Sequence, residues 1–127
     1  MLFDGRAFAR EIEQEVASQV VRLPRPPRIV SVLVGHDPAS ELYTKLKRAA
    51  AERVGIIFEI HHLASPSLSH LVKTIRETGE RGGVTGVMIQ IPVPGLSREE
   101  QGDVFKAIPL EKDVDGLRWQ ESGVTPA

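Results

Sequence analysis

Cysteine is absent from the 127 residues. That single absence removes disulfides, thiolate metal ligands and cysteine nucleophiles together, and it fits a reducing compartment. An excess of charge of one sign is lacking too, since 16 basic residues stand against 17 acidic ones and do not gather into long runs. No electrostatic footprint for nucleic acid is left, and the short RGG at 81–83 reads as a turn before an apolar stretch. No apolar run approaches the roughly 20 residues of a membrane span, and the N-terminus turns charged too early for a secretory signal. A cytoplasmic protein with neither a membrane nor a nucleic-acid partner is expected. Internal repeats and low-complexity segments are missing as well. No Gly-x-Gly-x-x-Gly follows an expected strand, and the glycines of GERGGVTG (79–86) precede one, so a dinucleotide fingerprint is lacking.

What is present is the composition of an ordinary globular domain, 41% hydrophobic and 26% charged, in a length that suits one core. Over residues 6–23, Phe8, Ile12, Val16 and Val20 recur at steps of four beside Ala9 and Ala17, which predicts an amphipathic helix ended by PRPP (24–27). RIVSVLV (28–34) is β-branched and bounded by Pro27 and Gly35, the pattern of a buried strand. In the loop GHDPAS (35–40), Asp37 is placed to cap a helix over about residues 39–54, which Gly55 stops. IIFEIHHL (56–63) predicts a second strand, residues 67–79 a serine-capped helix, and VTGVMIQI (84–91) a third strand. After PVPG, the SREE of 97–100 has the capping-box pattern and opens a helix to about residue 107; the tail from Pro109 reads as loop. Strands alternating with helices predict a three-layer α/β/α sandwich with a mainly parallel sheet. Ligands of such sheets lie beyond the carboxyl ends of the strands, so GHDPAS and QIPVPG are expected to border one cleft.

Chemistry is sought there. Tyr43 and Lys47 lie four apart and share one face of the second helix. The ordinary reading is a solvated face, but Leu42 and Leu46 form an adjacent stripe expected to face the core, which turns the Tyr–Lys face sideways toward the cleft. A lysine acts as acid or base when partial burial or a nearby cation lowers its proton affinity. Gln90 is the polar residue in an apolar strand, and its amide needs partners: a loop carbonyl on the plain reading, Lys47 or a ligand on the functional one. EKDVDG (111–116) offers Asp113 and Asp115; two carboxylates are too few for a calcium loop, and the plain reading is a turn before Gly116. A rim carboxylate can also accept two parallel hydrogen bonds from an amidine-like edge. His36, His61, His62 and His70 show no metal-ligand spacing; His61 and His62 point to opposite faces of a strand, and His36 reads as solvated. Tyr-x-x-x-Lys also occurs in short-chain dehydrogenases, but there it follows a dinucleotide-binding half.

LVGHDPASELYTKLKRAA, GVMIQIPVPG and PLEKDVDGL, in this order and spacing, together resemble the N-terminal domain of the bifunctional methylenetetrahydrofolate dehydrogenase/methenyltetrahydrofolate cyclohydrolase family. The opening FDGRAFAREIEQEV is similar to that family's first strand and helix. The resemblance implies one-carbon folate metabolism in the cytoplasm, supplying purine biosynthesis: NADP-linked oxidation of 5,10-methylenetetrahydrofolate, then hydrolysis of the methenyl cation to 10-formyltetrahydrofolate. It implies Lys47 as the acid/base group, Tyr43 as the residue bordering and positioning the folate, and Gln90 as the lysine's partner. Pro92 would line the folate site and Asp115 would bind the pterin. No metal is implied. NADP would be held by a second, Rossmann-type domain whose site is not in this chain, so the expectation is one folate-binding catalytic domain over residues 1–127 without dehydrogenase activity of its own. Two departures stand out: ESG (121–123) where the family usually has Asn-x-Gly, and Ala49 in place of a common lysine. The alternative expectation is a stand-alone folate-binding or interaction module without turnover. The oligomeric state is open.

Overall fold

The computed structural model describes residues 4–118. The first strand implied by the family resemblance, the ESG segment and the GVTPA end lie outside the described residues, wholly or in their greater part. Four helices and three strands alternate: α1 (Gly5–Val20), β1 (Arg28–Val34), α2 (Pro38–Arg53), β2 (Ile57–Leu63), α3 (Leu68–Glu80), β3 (Gly86–Ile89) and α4 (Arg98–Lys106), followed by a 3-10 turn at Leu110–Lys112. Among these described residues no helix is long and apolar enough to cross a membrane.

The helix starts follow local chemistry. Asp4 accepts from the N–H groups of Arg6 and Ala7, Asp37 from Ser40, and Ser67 from His70, each meeting donors that a first turn leaves orphaned. At α4 the capping box is complete, with Ser97 and Glu100 each accepting from the other's backbone N–H.

The sheet order is β2-β1-β3, parallel throughout. Because side chains alternate across a strand, Val30, Val32 and Val34 of β1 join Leu71, Ile75, Val104 and Phe105 in a core on the α3/α4 side. The other face packs Phe58 and Met88 against Ala51 of α2. Helices therefore cover both faces, as the three-layer expectation requires.

Four expectations are corrected. Leu42 and Leu46 do not face the core; they are 56% and 55% exposed, and the buried residues of α2 are Ser40, Thr44 and Ala51. At about 100° per residue Leu42 and Leu46 lie about 160° from Thr44, and the small residues at the contact let the helix sit close to the sheet. In α1 the Phe8–Ile12 half of the apolar stripe is about half exposed and no residue is fully buried. Partial burial falls instead on Val16, Ala17 and Val20 of its second half, while midway along the helix Glu13 accepts twice from Arg53, at 2.8 and 3.1 Å, in a surface pair that adds little. The third strand is only four residues long, because pairing with β1 begins at Ile29↔Gly86. Residues 110–113 are not plain loop, since a 3-10 turn forms at Leu110–Lys112 and Val87 and Asp113 make a parallel bridge beside β3.

Candidate functional site

Period-2 alternation puts Gln90 on the same side of the sheet as Met88, the side covered by α2. Lys47, about 60° round the helix from buried Thr44, leans toward β3 from above. The two meet: Lys47 Nζ donates to Gln90 Oε1 at 3.2 Å, while Gln90 Nε2 donates to the Ile91 carbonyl at 3.1 Å. The backbone carbonyl can only accept, so it fixes which end of the amide faces the ammonium; the reversed amide would set donor against donor at the lysine and acceptor against acceptor at Ile91. Both sequence readings of Gln90 hold at once, a loop carbonyl on one side and the lysine on the other. Lys47 is half-buried, and two of its three N–H groups have no partner among the described residues.

Tyr43 lies one turn before Lys47 on the same flank of α2 and is 56% exposed. Pro92 follows Gln90 by two positions, past a cis Ile91–Pro92 peptide, and is exposed. The loops after β1 and β3 do border each other. Gly35, with φ +80°, has Pro94 so close that an added Cβ would lie 3.1 Å from its Cγ.

The KDVDG segment is tied down by its other polar groups. Lys112 Nζ donates to the carbonyls of Gly79 and Arg81 at 2.8 and 3.0 Å, covering the end of α3. Asp113 accepts from the N–H groups of Leu117 and Arg118 at 3.0 and 3.1 Å. Arg118 donates to the carbonyls of Lys106, the last residue of α4, and of Ile108 just past it. Asp115 alone of these is exposed and without a hydrogen bond among the described residues. Gly86 brings this loop onto the sheet, since a Cβ there would fall 2.4 Å from Val114 Cγ1. The structure thus joins Lys47 to Gln90, flanks them with Tyr43 and Pro92, and links Asp115 to the same strand through the Val87–Asp113 bridge. It shows no contact between Asp115 and the lysine pair. Sequence reasoning missed the anchoring roles of Lys112 and Arg118, for which long side chains beside helix ends were the available signal.

A concavity of about 690 Å³ lies elsewhere, between Ile91 and the α4 residues Arg98, Gly102, Phe105 and Lys106. Apart from Ile91 it shares nothing with the Lys47 group.

A dinucleotide finds no cradle among the described residues. The strand-to-helix turns 35–37, 64–67 and 90–97 carry no more than one glycine each, and the side chains of Asp37, Ser67 and Ser97 already occupy the helix starts. The residues present do not fit NADP.

Comparison with known proteins gives a consistent picture. The sequence model of a family described as tetrahydrofolate dehydrogenase/cyclohydrolase, catalytic domain, matches residues 3–115. The bifunctional protein FolD of Moorella thermoacetica is 40% identical over 120 residues, covering 91% of this chain and 42% of the relative. Among solved structures, a 5,10-methylenetetrahydrofolate dehydrogenase from the silkworm Bombyx mori superposes with a TM-score of 0.84 at 33% identity, over 94% of this chain and 42% of that one. The dehydrogenase-cyclohydrolase of Trypanosoma brucei, solved with NADP and an inhibitor, gives 0.84 at 25% identity, over 97% and 43%. The chain spans about two fifths of the length of the curated relatives it matches.

Proposed function

The chain belongs to the tetrahydrofolate dehydrogenase/cyclohydrolase catalytic-domain family, and from that premise we propose that it binds tetrahydrofolate derivatives at the carboxyl end of its sheet and serves the interconversion of their methylene, methenyl and formyl forms. The observation that carries the reading is the Lys47–Gln90 hydrogen bond at the mouth of the cleft.

Hydrolysis of the methenyl cation is the step these residues suit. Water adds to the amidinium carbon, and a proton must leave the water as the C–O bond forms. Collapse to the formyl product then needs a proton delivered to the departing ring nitrogen and one removed from the new hydroxyl. A group that both takes and gives protons covers each transfer, with one proton released overall, and Lys47 has that capacity. Gln90 holds its nitrogen in place through an amide whose own orientation is fixed by Ile91. Tyr43 borders the folate, Pro92 lines the site, and Asp115 is left to accept from the pterin's amidine-like edge because Asp113 is occupied.

NADP supplies a hydride acceptor when bound, and in this reading it sits on a further domain. The relatives' greater length agrees with that, as does the absence of a phosphate cradle among the described residues. A cytoplasmic place, with 10-formyltetrahydrofolate as the product that purine synthesis draws on, belongs to the same proposal.

The test pairs calorimetric titration of the 127-residue chain with a tetrahydrofolate derivative and hydrolysis of 5,10-methenyltetrahydrofolate by the chain joined to a relative's cofactor domain. Binding with turnover is expected. Binding without turnover favours a folate-binding module, and no binding overturns the proposal.

A further inference from the structure

The opposite flank of α2 carries a second cluster. His36, Glu41 and His62 each offer one ligand atom, and the three atoms lie within 4.8 Å of one another. We infer that these residues form a binding site for a first-row divalent cation of the zinc type, clear of the Lys47–Gln90 pair.

Three elements converge to make it. The pairing Leu33↔His62 sets His62 beside the end of β1, and the Gly35 N–H donates to the Leu63 carbonyl at 2.9 Å, which holds His36 against the end of β2. Asp37 caps α2 and so fixes Glu41 in its first turn. Period 2 turns His62 to the α2 side with Phe58 and Ile60, where it lines a concavity of about 230 Å³ with Glu41 and Thr44.

The distances suit one shared ion. Donor atoms about 2.1 Å from a tetrahedral zinc stand about 3.4 Å apart, and two imidazoles on it have ring centres about 5 Å apart. His36 Nδ1 and Glu41 Oε1 are 3.6 Å apart, and the two imidazole centroids are 5.0 Å apart with planes at 64°. Exposed side chains can close the remaining gap by small torsions. His62 Nε2 contacts the Gly35 carbonyl, which can only accept, so Nε2 carries the hydrogen and Nδ1 keeps the lone pair. A backbone carbonyl holding one ring N–H of a histidine is the usual support of a metal-binding imidazole. Two histidines and a glutamate are a donor set zinc accepts with a coordination position left for water. Lys45 also lines the concavity and opposes a cation there. A carboxylate in the set offsets it.

The site was missed in the sequence because His36 and His62 are 26 positions apart, outside any short metal motif. Only the parallel register brings them together.

The experiment uses the untagged 127-residue chain and Zn²⁺ alone, without folate, so its outcome is independent of the proposed function. One equivalent is expected to bind by calorimetry and to raise Tm. His36→Ala and His62→Ala should each fold, by far-UV circular dichroism, and lose the binding heat and the Tm shift. His61→Ala, whose ring lies on the other face of the strand, should keep both. No binding by the parent, binding retained in either His36→Ala or His62→Ala, or loss in folded His61→Ala would overturn the assignment.

Discussion

Lys47 and Gln90, 43 positions apart, are joined by one hydrogen bond of 3.2 Å that links the middle of α2 to the residue just beyond β3. Each holds what the other needs: the amide gains a donor it cannot find in an apolar strand, and the ammonium gains a fixed acceptor. In a chain joined to a cofactor domain, Lys47→Met is expected to abolish cyclohydrolase turnover while measurable dehydrogenase activity remains. Hydride departure leaves a cation and needs geometry, whereas hydrolysis needs protons moved. Parallel assays of the two half-reactions decide it; parental hydrolysis in Lys47→Met would return the lysine to the role of a solvated helix residue.

The two aspartates of KDVDG should fail in opposite ways. Asp113→Ala removes a carboxylate that meets two backbone donors, and a loss of about 1 kcal/mol or more is expected from the hydrogen bonds given up. Asp115→Ala should leave urea unfolding unchanged and weaken folate binding about tenfold or more, as loss of a charge-assisted contact does. Equal effects on stability would assign both to the turn.

Acid should act through Glu59. The Arg81 guanidinium, at 2.8 Å, holds this carboxyl below the usual glutamate range, and Arg28, at 3.6 Å, adds to it. A depressed carboxylate contributes stability above its unfolded pKa, about 4.3, and loses it as pH falls through the folded value. Glu59→Gln is therefore expected to lower Tm at pH 7, with the gap to the parent narrowing as pH falls below about 4. No gap at pH 7, or a gap that fails to narrow below about pH 4, would show that the ion pairs contribute nothing.

The polar seam under α2 offers a stability gain. Ser31 is fully buried and its Oγ has no hydrogen-bond partner among the described residues. A buried hydroxyl left unpaired costs about 1–3 kcal/mol, so Ser31→Ala should be neutral or stabilising. Leu46→Gln, at an exposed site, should change stability by no more than about 0.5 kcal/mol. Chemical denaturation of both variants gives the answer, and a large loss from Leu46→Gln would restore the leucine stripe to the core.

Most of the fold was legible because its signals are local. Pro27 and Gly35 bracket β1, Asp37 and Ser67 start helices where their side chains find N–H groups, and the Ser97–Glu100 box forms as its spacing implies. What failed was orientation. In α2 the spacing of two leucines is a stronger sequence signal than Ser40 and Thr44, yet close approach to a sheet favours small side chains. In α1, apolar spacing alone did not say that Phe8 and Ile12 would stay about half exposed while Val16, Ala17 and Val20 are partly covered. At the site, Lys47 and Gln90 were picked out by type and spacing, since an amide in an apolar strand demands a partner. Lys112, Arg118 and the His36–His62 proximity depend on how distant segments pack, and no short window contains them.

Gly86 and Val114 give the cleft a common gauge. The loop bearing Asp115 rests its valine on the bare backbone of the same strand that, four residues later, presents Gln90. A single methyl added at position 86 would lift one end of the site and leave the other seated. On the proposed function, Gly86→Ala is therefore expected to weaken folate binding through Asp115 while the Lys47–Gln90 bond stays in place, a separation that a substitution inside the cleft cannot make so cleanly.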